Sequence, residues 1–332
     1  MPAPRIVVLA GGVGGAKFVR GLREHCRSVW PDGRGGTTAE ITVVVNTGDD
    51  LWLAGLRITP DLDSLLYALA GVNDTVRGWG RAGESERVSG ELTAYGVGWP
   101  WFTLGDLDLG THIARTALLK QGLPLSVVVE RLSARWPLGV RLVPATDDEV
   151  ETHVLVHEDG EARELHFEEW WVRTRAALPA ERFVQAGAET AQPAPAVAPA
   201  LAAADVVLLA PSNPVVSIGT ILGIPGLREA LLATAAPIVG VSPIIGGSAV
   251  RGMADACLRA IGVATSADAV GRHYGARSAG GLLDGWLVDR SDASAVDGLE
   301  AAGIPAVAVP LWMHDDDSSA AIAREALALA RL

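Results

Sequence analysis

Short apolar, largely β-branched runs recur in the first and last thirds of the chain, and a polar or glycine-rich turn follows most of them. The runs that we predict to be strands are 5–10, 41–46, 205–210, 237–241, 286–289 and 306–309. Apolar runs of this length are typical of strands buried on both faces of a parallel sheet. The pattern therefore predicts an α/β fold that is Rossmann-like, with a mostly parallel sheet and helices on both faces.

The middle of the chain has a different pattern. Apolar and polar positions alternate in residues 140–145, 152–157 and 162–167. Glu158-Asp-Gly160 predicts a hairpin turn between the last two runs, and the Ala- and Pro-rich stretch 188–203 predicts a linker or surface crossover. We therefore expect a core of residues 1–74 and 204–332, with an inserted helical and β-hairpin region at 75–203.

Composition narrows the class of protein. The chain has 332 residues, of which 49% are hydrophobic and 20% charged, as expected for a globular protein with a large core. A formal net charge of −12 argues against nucleic acid or an anionic membrane as a partner. Cys26 and Cys257 provide neither a disulfide framework nor a metal-binding spacing. Without a signal-peptide pattern or a membrane-spanning apolar run, we expect a cytoplasmic protein.

The turn after the first predicted strand is rich in glycine, reading Gly11-Gly-Val-Gly-Gly-Ala-Lys17. A strand, a glycine-rich turn and a helix N-terminus together favour anion binding, because free amides and the helix dipole attract negative charge. The turn is not a P-loop, since no Ser or Thr follows Lys17. The second strand ends in Asn46, not in the acid that would bind a ribose of NAD. We favour phosphate binding without nicotinamide; the alternative is tight strand–helix packing alone.

Four aspartates follow the second predicted strand: Asp49, Asp50, Asp61 and Asp63. Crowded carboxylates at the end of an apolar strand are costly unless a cation offsets their charge, and Mg²⁺ is the usual one beside phosphates. Alternatively, Asp49 is a turn residue and Asp61 or Asp63 caps a helix beginning near Ser64. We favour the turn for Asp49 and a metal site formed by the other three.

Several further polar groups are candidates for ligand binding. His112 and Arg115 lie one turn apart on one predicted helix face, which suits either an anion clamp or a solvent-facing helix with a core histidine. Ser212 and Asn213 follow one predicted strand and Gly246-Gly247 follows another, at the sheet edge where open α/β sheets bind ligands. Structural turns use the same residue types, so each loop alone is weak evidence.

Several motifs along the chain recur in the order found in one known family. They are Gly11-Gly-Val-Gly-Gly15, Asn46-Thr-Gly-Asp-Asp-Leu-Trp52, Pro60-Asp-Leu-Asp63, Leu104-Gly-Asp-Leu-Asp-Leu-Gly-Thr-His112, Ala210-Pro-Ser-Asn-Pro-Val-Val-Ser-Ile-Gly219, Ser242-Pro-Ile-Ile-Gly-Gly247 and Leu283-Asp-Gly-Trp286. Over essentially its whole length the chain resembles the CofD/FbiA family of coenzyme F-420 biosynthesis. Phe167-Glu-Glu-Trp-Trp-Val-Arg173 is similar to the actinobacterial branch. Gly110 departs from the alanine expected in much of the family, but a small residue is kept.

The resemblance implies a magnesium-dependent and commonly dimeric transferase. Its acceptor would be the deazaflavin Fo (7,8-didemethyl-8-hydroxy-5-deazariboflavin). Its donor would be enolpyruvyl-diphospho-guanosine in the actinobacterial branch, or lactyl-diphospho-guanosine in archaeal members. The ribityl hydroxyl of Fo would attack the ester-bearing phosphorus, and GMP would leave.

The residues fit this chemistry, since phosphoryl transfer needs positioning and charge neutralisation above all. Mg²⁺ would lie on Asp50 and Asp61, with Asp63 as a further ligand or as the group that orients the hydroxyl or accepts its proton. The segment 99–112 would frame the deazaflavin, and Trp170-Trp171 would pack the insert against the core. The predicted substrate-binding residues are Gly12, Val13, Gly14, Gly15, Lys17, Asn46, Thr103, Asp106, His112, Arg115, Ser212, Asn213, Ser217, Gly246 and Gly247.

Two functions from other classes are the alternatives. One is a nicotinamide-dependent oxidoreductase on the same fold, against which Asn46 argues. The other is a non-catalytic nucleotide-binding regulator, which would not require three acids beside a phosphate loop.

Overall fold

A computed structural model describes residues 3–332 of the chain, and the elements below are those of that range. The strands are β1 (Arg5–Ala10), β2 (Glu40–Val45), β3 (Leu51–Leu53), β4 (Leu56–Ile58), β5 (Arg141–Pro144), β6 (Glu151–Glu158), β7 (Glu161–His166), β8 (Ala180–Ala186), β9 (Val206–Leu209), β10 (Ile238–Val241), β11 (Ile244–Ile245), β12 (Ser248–Ala249), β13 (Gly285–Asp289) and β14 (Ala306–Val309). The α-helices are α1 (Gly12–Val29), α2 (Pro60–Ala70), α3 (Arg87–Ala94), α4 (Asp106–Leu119), α5 (Leu125–Ser133), α6 (Val197–Ala203), α7 (Ile218–Gly223), α8 (Leu227–Ala233), α9 (Ala254–Ala260), α10 (Ala267–Tyr274), α11 (Val296–Ala301) and α12 (Asp316–Leu329). Short 3₁₀ segments cover Ala188–Thr190, Arg277–Ala279 and Arg290–Ala295, and a π-helical turn covers Glu169–Arg173.

Seven strands form the central sheet in the order β14-β13-β10-β9-β1-β2-β5, and every neighbouring pair is parallel. Alternate residues of β1 enter different cores: Ile6 and Val8 contribute to one, Val7 and Leu9 to the other. This two-sided burial is the reason for its uninterrupted apolar run. The predicted Rossmann-like α/β fold is confirmed, and the six predicted core strands occur within one residue at each end.

Helices cover both faces of the sheet. Residues of α1, α2 and α12 pack on one face, and residues of α6, α7, α8, α10 and α11 pack on the other. Helix α12 begins with a capping box at Asp315, whose side chain accepts from Ser318. Gly21 of α1 lies so close to Ser319 that a Cβ would collide with it, which allows α1 and α12 to approach closely. Within residues 3–332, no helix is both long enough and apolar enough to cross a membrane.

The predicted β-hairpin is present within the insert. Strands β6 and β7 pair antiparallel, and the turn residues Asp159 and Gly160 have φ of 53° and 84°. Such left-handed values are those of a tight hairpin turn. A third strand, β8, pairs with β6 and was not predicted.

Two details of the middle region differ from the predictions. Strand β5 lies within the predicted insert, yet it pairs parallel with β2 at one edge of the central sheet. The stretch 188–203 is not a linker, because it forms a 3₁₀ turn and α6, and the side chains of Val197 and Leu201 are fully buried. The Ala- and Pro-rich composition predicted a linker, but Val197 and Leu201 give the stretch an apolar side that packs against the sheet.

Candidate active site

The candidate site lies at the carboxyl ends of β1 and β9. The chain passes from β1 to β2 on one side and reaches β9 on the other, so a topological switch point lies between β1 and β9. The loops after these strands are joined: the Gly11 amide donates to Ser212 Oγ at 3.0 Å, and Ser212 Oγ donates to the Gly11 carbonyl at 2.7 Å. The connection therefore brings together two of the predicted binding loops.

A cavity of about 490 Å³ opens at this point. Its wall includes residues from the loops after β1, β2, β9, β10 and β14, from α2, and from the insert. Its acidic lining residues are Asp49, Asp61, Asp63, Asp108 and Glu168. Its aromatic lining residues are Tyr67, Trp79, Trp101, Phe102, Phe167 and Trp171. Acidic and aromatic side chains thus line the same space.

Asp61 joins the acidic segment to the glycine-rich turn. Its carboxylate accepts from the Gly12 amide at 2.7 Å and from Asn46 Nδ2 at 2.9 Å. Helix α2 begins at Pro60, three to four residues earlier than predicted, so Asp61 lies in its first turn and does not cap it. Burial raises the pKa of Asp61 to about 6, although these two hydrogen bonds oppose the rise.

Asp63 forms a buried ion pair with Arg115. Thr59 Oγ1 also donates to Asp63 at 3.3 Å, and His112 Nδ1 lies 3.6 Å away. Burial raises the pKa of Asp63, while the charges of Arg115 and His112 oppose that rise. Both His112 and Arg115 are only 1% exposed, so the alternative of a solvent-facing helix with a core histidine is right about His112 and wrong about Arg115. Arg115 clamps a carboxylate, but that carboxylate belongs to the protein.

A hydrogen-bonded network extends from this pair along α4. Tyr67 donates its hydroxyl to Asp108 at 2.6 Å, and His112 Nε2 lies 3.1 Å from the same Asp108 oxygen. Burial raises the pKa of Asp108, but the hydrogen bond and the charge of His112 outweigh burial and bring this pKa below its usual value. Asp108 lies in the first turn of α4, whose N-cap is Gly105, and the bonds to Tyr67 and His112 hold its side chain.

Asp50 lies behind the cavity wall and is fully buried. Neither carboxylate oxygen has a hydrogen-bond partner within the described chain, and Arg57 Nη2 is 3.9 Å away. Burial raises the pKa of Asp50 well above its usual value despite the charges of Arg57 and Arg115.

Asp49 was predicted to be only a turn residue, yet it lines the cavity. Burial together with the charge of Asp61 raises the pKa of Asp49 well above the usual range.

These carboxylates fit a cation, because a buried acid with unpaired oxygens is stabilised by a positive ligand. Within residues 3–332, the one group of three possible ligands whose atoms lie within 4.8 Å of one another is Asp63, Asp108 and His112. Arg115 and Tyr67 already contact that group. The magnesium site of Asp50, Asp61 and Asp63 stays a prediction.

Some of the tryptophans near the site line the cavity, and one packs in the core behind it. Trp99 and Trp101 stack with ring centroids 4.6 Å apart, and Trp101 faces the cavity. Trp170 is fully buried and donates Nε1–H to the Leu178 carbonyl at 2.8 Å, as expected for a packing residue. Its neighbour Trp171, which we predicted to pack in the same way, lines the cavity instead.

Comparison with known proteins identifies the family. The family model described as 2-phospho-L-lactate transferase CofD matches residues 6–314. The chain belongs to the CofD family. It is 56% identical to proteins named phosphoenolpyruvate transferase from Streptomyces griseus and Streptomyces coelicolor, over 98% of each chain, and to one from Thermobifida fusca, again 56% over 98% of each. The predicted family and the predicted enzyme class, a transferase, are confirmed.

Solved structures support the fold of this CofD-family chain. A crystal structure of a UPF0052-family protein from Bacillus halodurans superposes with a TM-score of 0.61 at 17% identity, covering 98% of this chain and 99% of that one. A second crystal structure of a protein from the same organism gives a TM-score of 0.62 at 19% identity, with the same coverage. At such identities the likeness concerns the fold alone.

Many of the residues predicted for this CofD-family site lie on the cavity wall. They are Gly12, Val13, Gly14, Asp61, Asp63, Thr103, Ser212, Asn213 and Ser217. Others lie outside the wall: Gly15, Lys17, Asn46, Asp50, Asp106, His112, Arg115, Gly246 and Gly247. Lys17 donates to the Met313 carbonyl at 3.2 Å, and Asp106 accepts from Ser85. Asn46, Asp50, His112 and Arg115 form a layer behind the wall, next to the acids that line it.

The glycine-rich turn has a packing role in addition to any binding role. Gly12 has φ of +63°, a value that favours glycine. A Cβ on Gly14 would lie 2.7 Å from the Pro211 carbonyl oxygen, so that glycine is required by the contact between the β1 and β9 loops. The first amides of α1 have no partner within the helix. Their capacity to hold a phosphate therefore stays a prediction, independent of the reason for glycine at position 14.

Sequence reasoning missed Glu168 and Arg251, which both line the cavity. Glu168 is only 8% exposed, and burial together with the charge of Asp61 raises its pKa to about 8. Glu168 belongs to the motif Phe167-Glu-Glu-Trp-Trp-Val-Arg173, which is similar to the actinobacterial branch of the family, and this motif was the signal that could have indicated a site residue. Arg251 follows the Gly246-Gly247 loop, and no local pattern separates it from an ordinary surface arginine.

Proposed function

We propose that this CofD-family protein transfers a phosphoenolpyruvyl or 2-phospholactyl group from a guanosine-diphosphate-activated donor to the ribityl hydroxyl of Fo. The product would be dehydro coenzyme F-420-0 or coenzyme F-420-0, with release of GMP. Relatives named phosphoenolpyruvate transferase favour the enolpyruvyl donor. The observation that carries the proposal is the cavity at the switch point of the sheet, which is lined by both acidic and aromatic side chains.

The donor fits the sheet side of this cavity. The N-terminus of α1 offers a diphosphate the positive end of the helix dipole and first-turn amides, of which that of Gly12 is bonded to Asp61. Ser212 and Asn213 lie beside it on the adjoining loop. Asn213 uses its side-chain oxygen to accept from the Val215 amide at 2.9 Å, which holds this loop in a defined turn.

The acceptor fits the insert side. Trp101, Phe102, Trp79 and Trp171 present aromatic faces or edges to the cavity. A flat, largely apolar deazaflavin ring gains both buried area and favourable stacking geometry against such a wall. Its ribityl chain would then extend towards Asp63.

The reaction is a displacement at phosphorus. The ribityl oxygen of Fo forms a bond to the ester-bearing phosphorus, the bond from that phosphorus to the bridging oxygen breaks, and GMP departs with the bridging oxygen. Asp63 is the group that we assign to orient the hydroxyl and accept its proton. Its pairing with Arg115 fixes the carboxylate and favours its charged form.

A magnesium ion would be held by Asp50, Asp61 and Asp63, and when bound it would neutralise charge on the diphosphate. The unpaired oxygens of Asp50 are the reason to keep it in this set. To bind the ion, the Asp61 carboxylate would have to give up the hydrogen bond from the Gly12 amide or contact the amide and the ion together.

Membership of a transferase family favours this proposal over the two alternatives, a nicotinamide-dependent oxidoreductase and a non-catalytic regulator. At the position of the ribose-binding acid of NAD enzymes, Asn46 is committed to Asp61 and the Val216 carbonyl. The homodimer and the cytoplasmic location stay predictions.

The test is incubation of the protein and Mg²⁺ with Fo and each of the two donors, followed by mass detection of the product. We expect the mass of Fo plus the phosphoenolpyruvyl or phospholactyl group, together with GMP. Absence of both products, with folded protein and authentic donors, would reject the proposal. A thermal shift with GDP and with NAD separates the alternatives, because only GDP should stabilise the protein.

A further inference from the structure

The charges on the cavity wall are strongly unbalanced. Asp49, Asp61, Asp63, Asp108 and Glu168 line it, and among the described residues only one lysine or arginine does so, Arg251. The proposed donor is itself an anion, with a diphosphate and a carboxylate on the group to be transferred. Carboxylates on the wall repel such a ligand unless cations offset their charge.

The other basic residues near the cavity are already engaged. Lys17 points to the Met313 carbonyl, outside the wall. Arg115 is held by Asp63, and Arg57 by Glu151 at 2.8 Å. The Arg115–Asp63 pair is buried, so breaking it would be costly. Arg57 is paired with a partly exposed Glu151 and does not line the cavity.

Arg251, in contrast, has no partner among the described residues that would keep it from binding a ligand. Its side chain is exposed, and within residues 3–332 it makes no hydrogen bond or ion pair. Its guanidinium lies against the backbone of Gly78 in the insert, close enough that a Cβ there would collide with it. The arginine therefore reaches from the loop after β12 to the insert while lining the cavity.

We propose that Arg251 binds the carboxylate of the group that is transferred, and so distinguishes donors that carry this carboxylate from GDP. This inference rests on the proposed function. The diphosphate has other partners available, namely the α1 amides and the predicted cation. For the carboxylate, Arg251 is the one lysine or arginine that residues 3–332 place on the wall. A planar guanidinium suits a carboxylate because two parallel hydrogen bonds can form.

The test compares two guanosine ligands that differ in the carboxylate. One is lactyl-diphospho-guanosine; the other is the β-ethyl ester of GDP, which keeps the diphosphate ester and lacks the carboxylate. Calorimetry measures their affinities for the wild-type protein, Arg251→Gln and Arg251→Lys in the presence of Mg²⁺. We expect Arg251→Gln to weaken the lactyl ligand roughly 10- to 100-fold, the scale of a lost charge-assisted hydrogen bond, and to leave the ethyl ester unchanged. Arg251→Lys should restore part of the loss.

Arg259→Gln is the matched control, because Arg259 is an exposed arginine of the adjacent helix α9 and does not line the cavity. It should leave both affinities unchanged. Equal weakening of both ligands by Arg251→Gln would overturn the carboxylate assignment, and so would unchanged affinity for both. Product formation by the wild type with Fo shows that the proposed function holds in either case. A wild type that neither binds the lactyl ligand nor forms product rejects the proposed function and this inference together.

Discussion

The Asp61 carboxylate accepts a hydrogen bond from the Gly12 amide at 2.7 Å, across 49 positions of sequence. The contact joins the first turn of α2 to the first turn of α1, at the point where a phosphate would meet the helix. A protein carboxylate thus occupies a position that suits a ligand anion. Donor binding and a change in the partners of Asp61 are therefore coupled in the proposed reaction.

Asp63→Asn should abolish most of the activity and also lower stability. We expect turnover to fall by roughly two orders of magnitude, as when a positioned base or ligand is lost. Because Arg115 would remain buried without its partner, the free energy of unfolding should fall by about 3–5 kcal/mol. Turnover must be measured well below the melting temperature, with folding checked by circular dichroism. Normal turnover in a destabilised variant would reduce Asp63 to a structural partner of Arg115.

Asp50→Asn tests the predicted metal with a readout other than activity. In EDTA the variant should melt at or above the wild-type temperature, because it removes a buried carboxylate without hydrogen-bond partners. Mg²⁺ with GDP should stabilise the wild type, by about 2.7 kcal/mol when the ligand is at 100 times its Kd, and should stabilise the variant far less. Equal stabilisation of both proteins would place the ion elsewhere. For the wild type, activity should disappear with EDTA and return with Mg²⁺.

Glu168 should make stability depend on pH. The pKa of Glu168 in the folded protein is about 8, above the usual 4.5. The contribution of Glu168 to the free energy of unfolding is therefore fully present below about pH 4.5 and is lost as the pH rises through 8. Each unit of pKa difference corresponds to about 1.4 kcal/mol. In EDTA, Glu168→Gln should therefore gain stability relative to the wild type as the pH rises from 5 to 8. Parallel curves of melting temperature against pH for the two proteins would contradict the prediction.

Trp101→Ala should weaken Fo binding roughly tenfold, since one aromatic face of the cavity is lost. Deazaflavin fluorescence measures the affinity, and GDP binding should be unchanged. Trp52→Ala is the control, because Trp52 is a 40% exposed tryptophan that does not line this cavity. If both variants bind Fo as the wild type does, the acceptor does not use this wall.

Gly14→Ala tests the packing role of the glycine-rich turn. Its Cβ would lie 2.7 Å from the Pro211 carbonyl, so we expect a loss of about 1–3 kcal/mol in stability. Gly110→Ala is the matched control, because nothing lies within 4 Å of a Cβ there and the residue is in the helix α4. That control should stabilise by about 0.5–1 kcal/mol. A Gly14→Ala variant as stable as the wild type would show that the two loops can separate.

The sequence by itself determined the parallel core, the loops at its carboxyl edge and the family. Strands such as β1 are recognisable because two-sided burial imposes an uninterrupted apolar run, which is a local signal. The acidic and glycine-rich motifs are local too, and parallel strands place their carboxyl ends at one edge of the sheet. Asp61 and Ser212 could therefore be assigned to one site before any contact was known.

The tertiary structure alone decided which side chains face the cavity. Lys17 and Arg115 carry the charge that an anion site needs, yet one points to the Met313 carbonyl and the other is buried against Asp63. Glu168 and Arg251 reach the cavity because the insert and the loop after β12 pack against the core. Contacts of this kind join residues far apart in sequence and leave no periodic trace, so the partner of each charge depends on packing and not on local pattern.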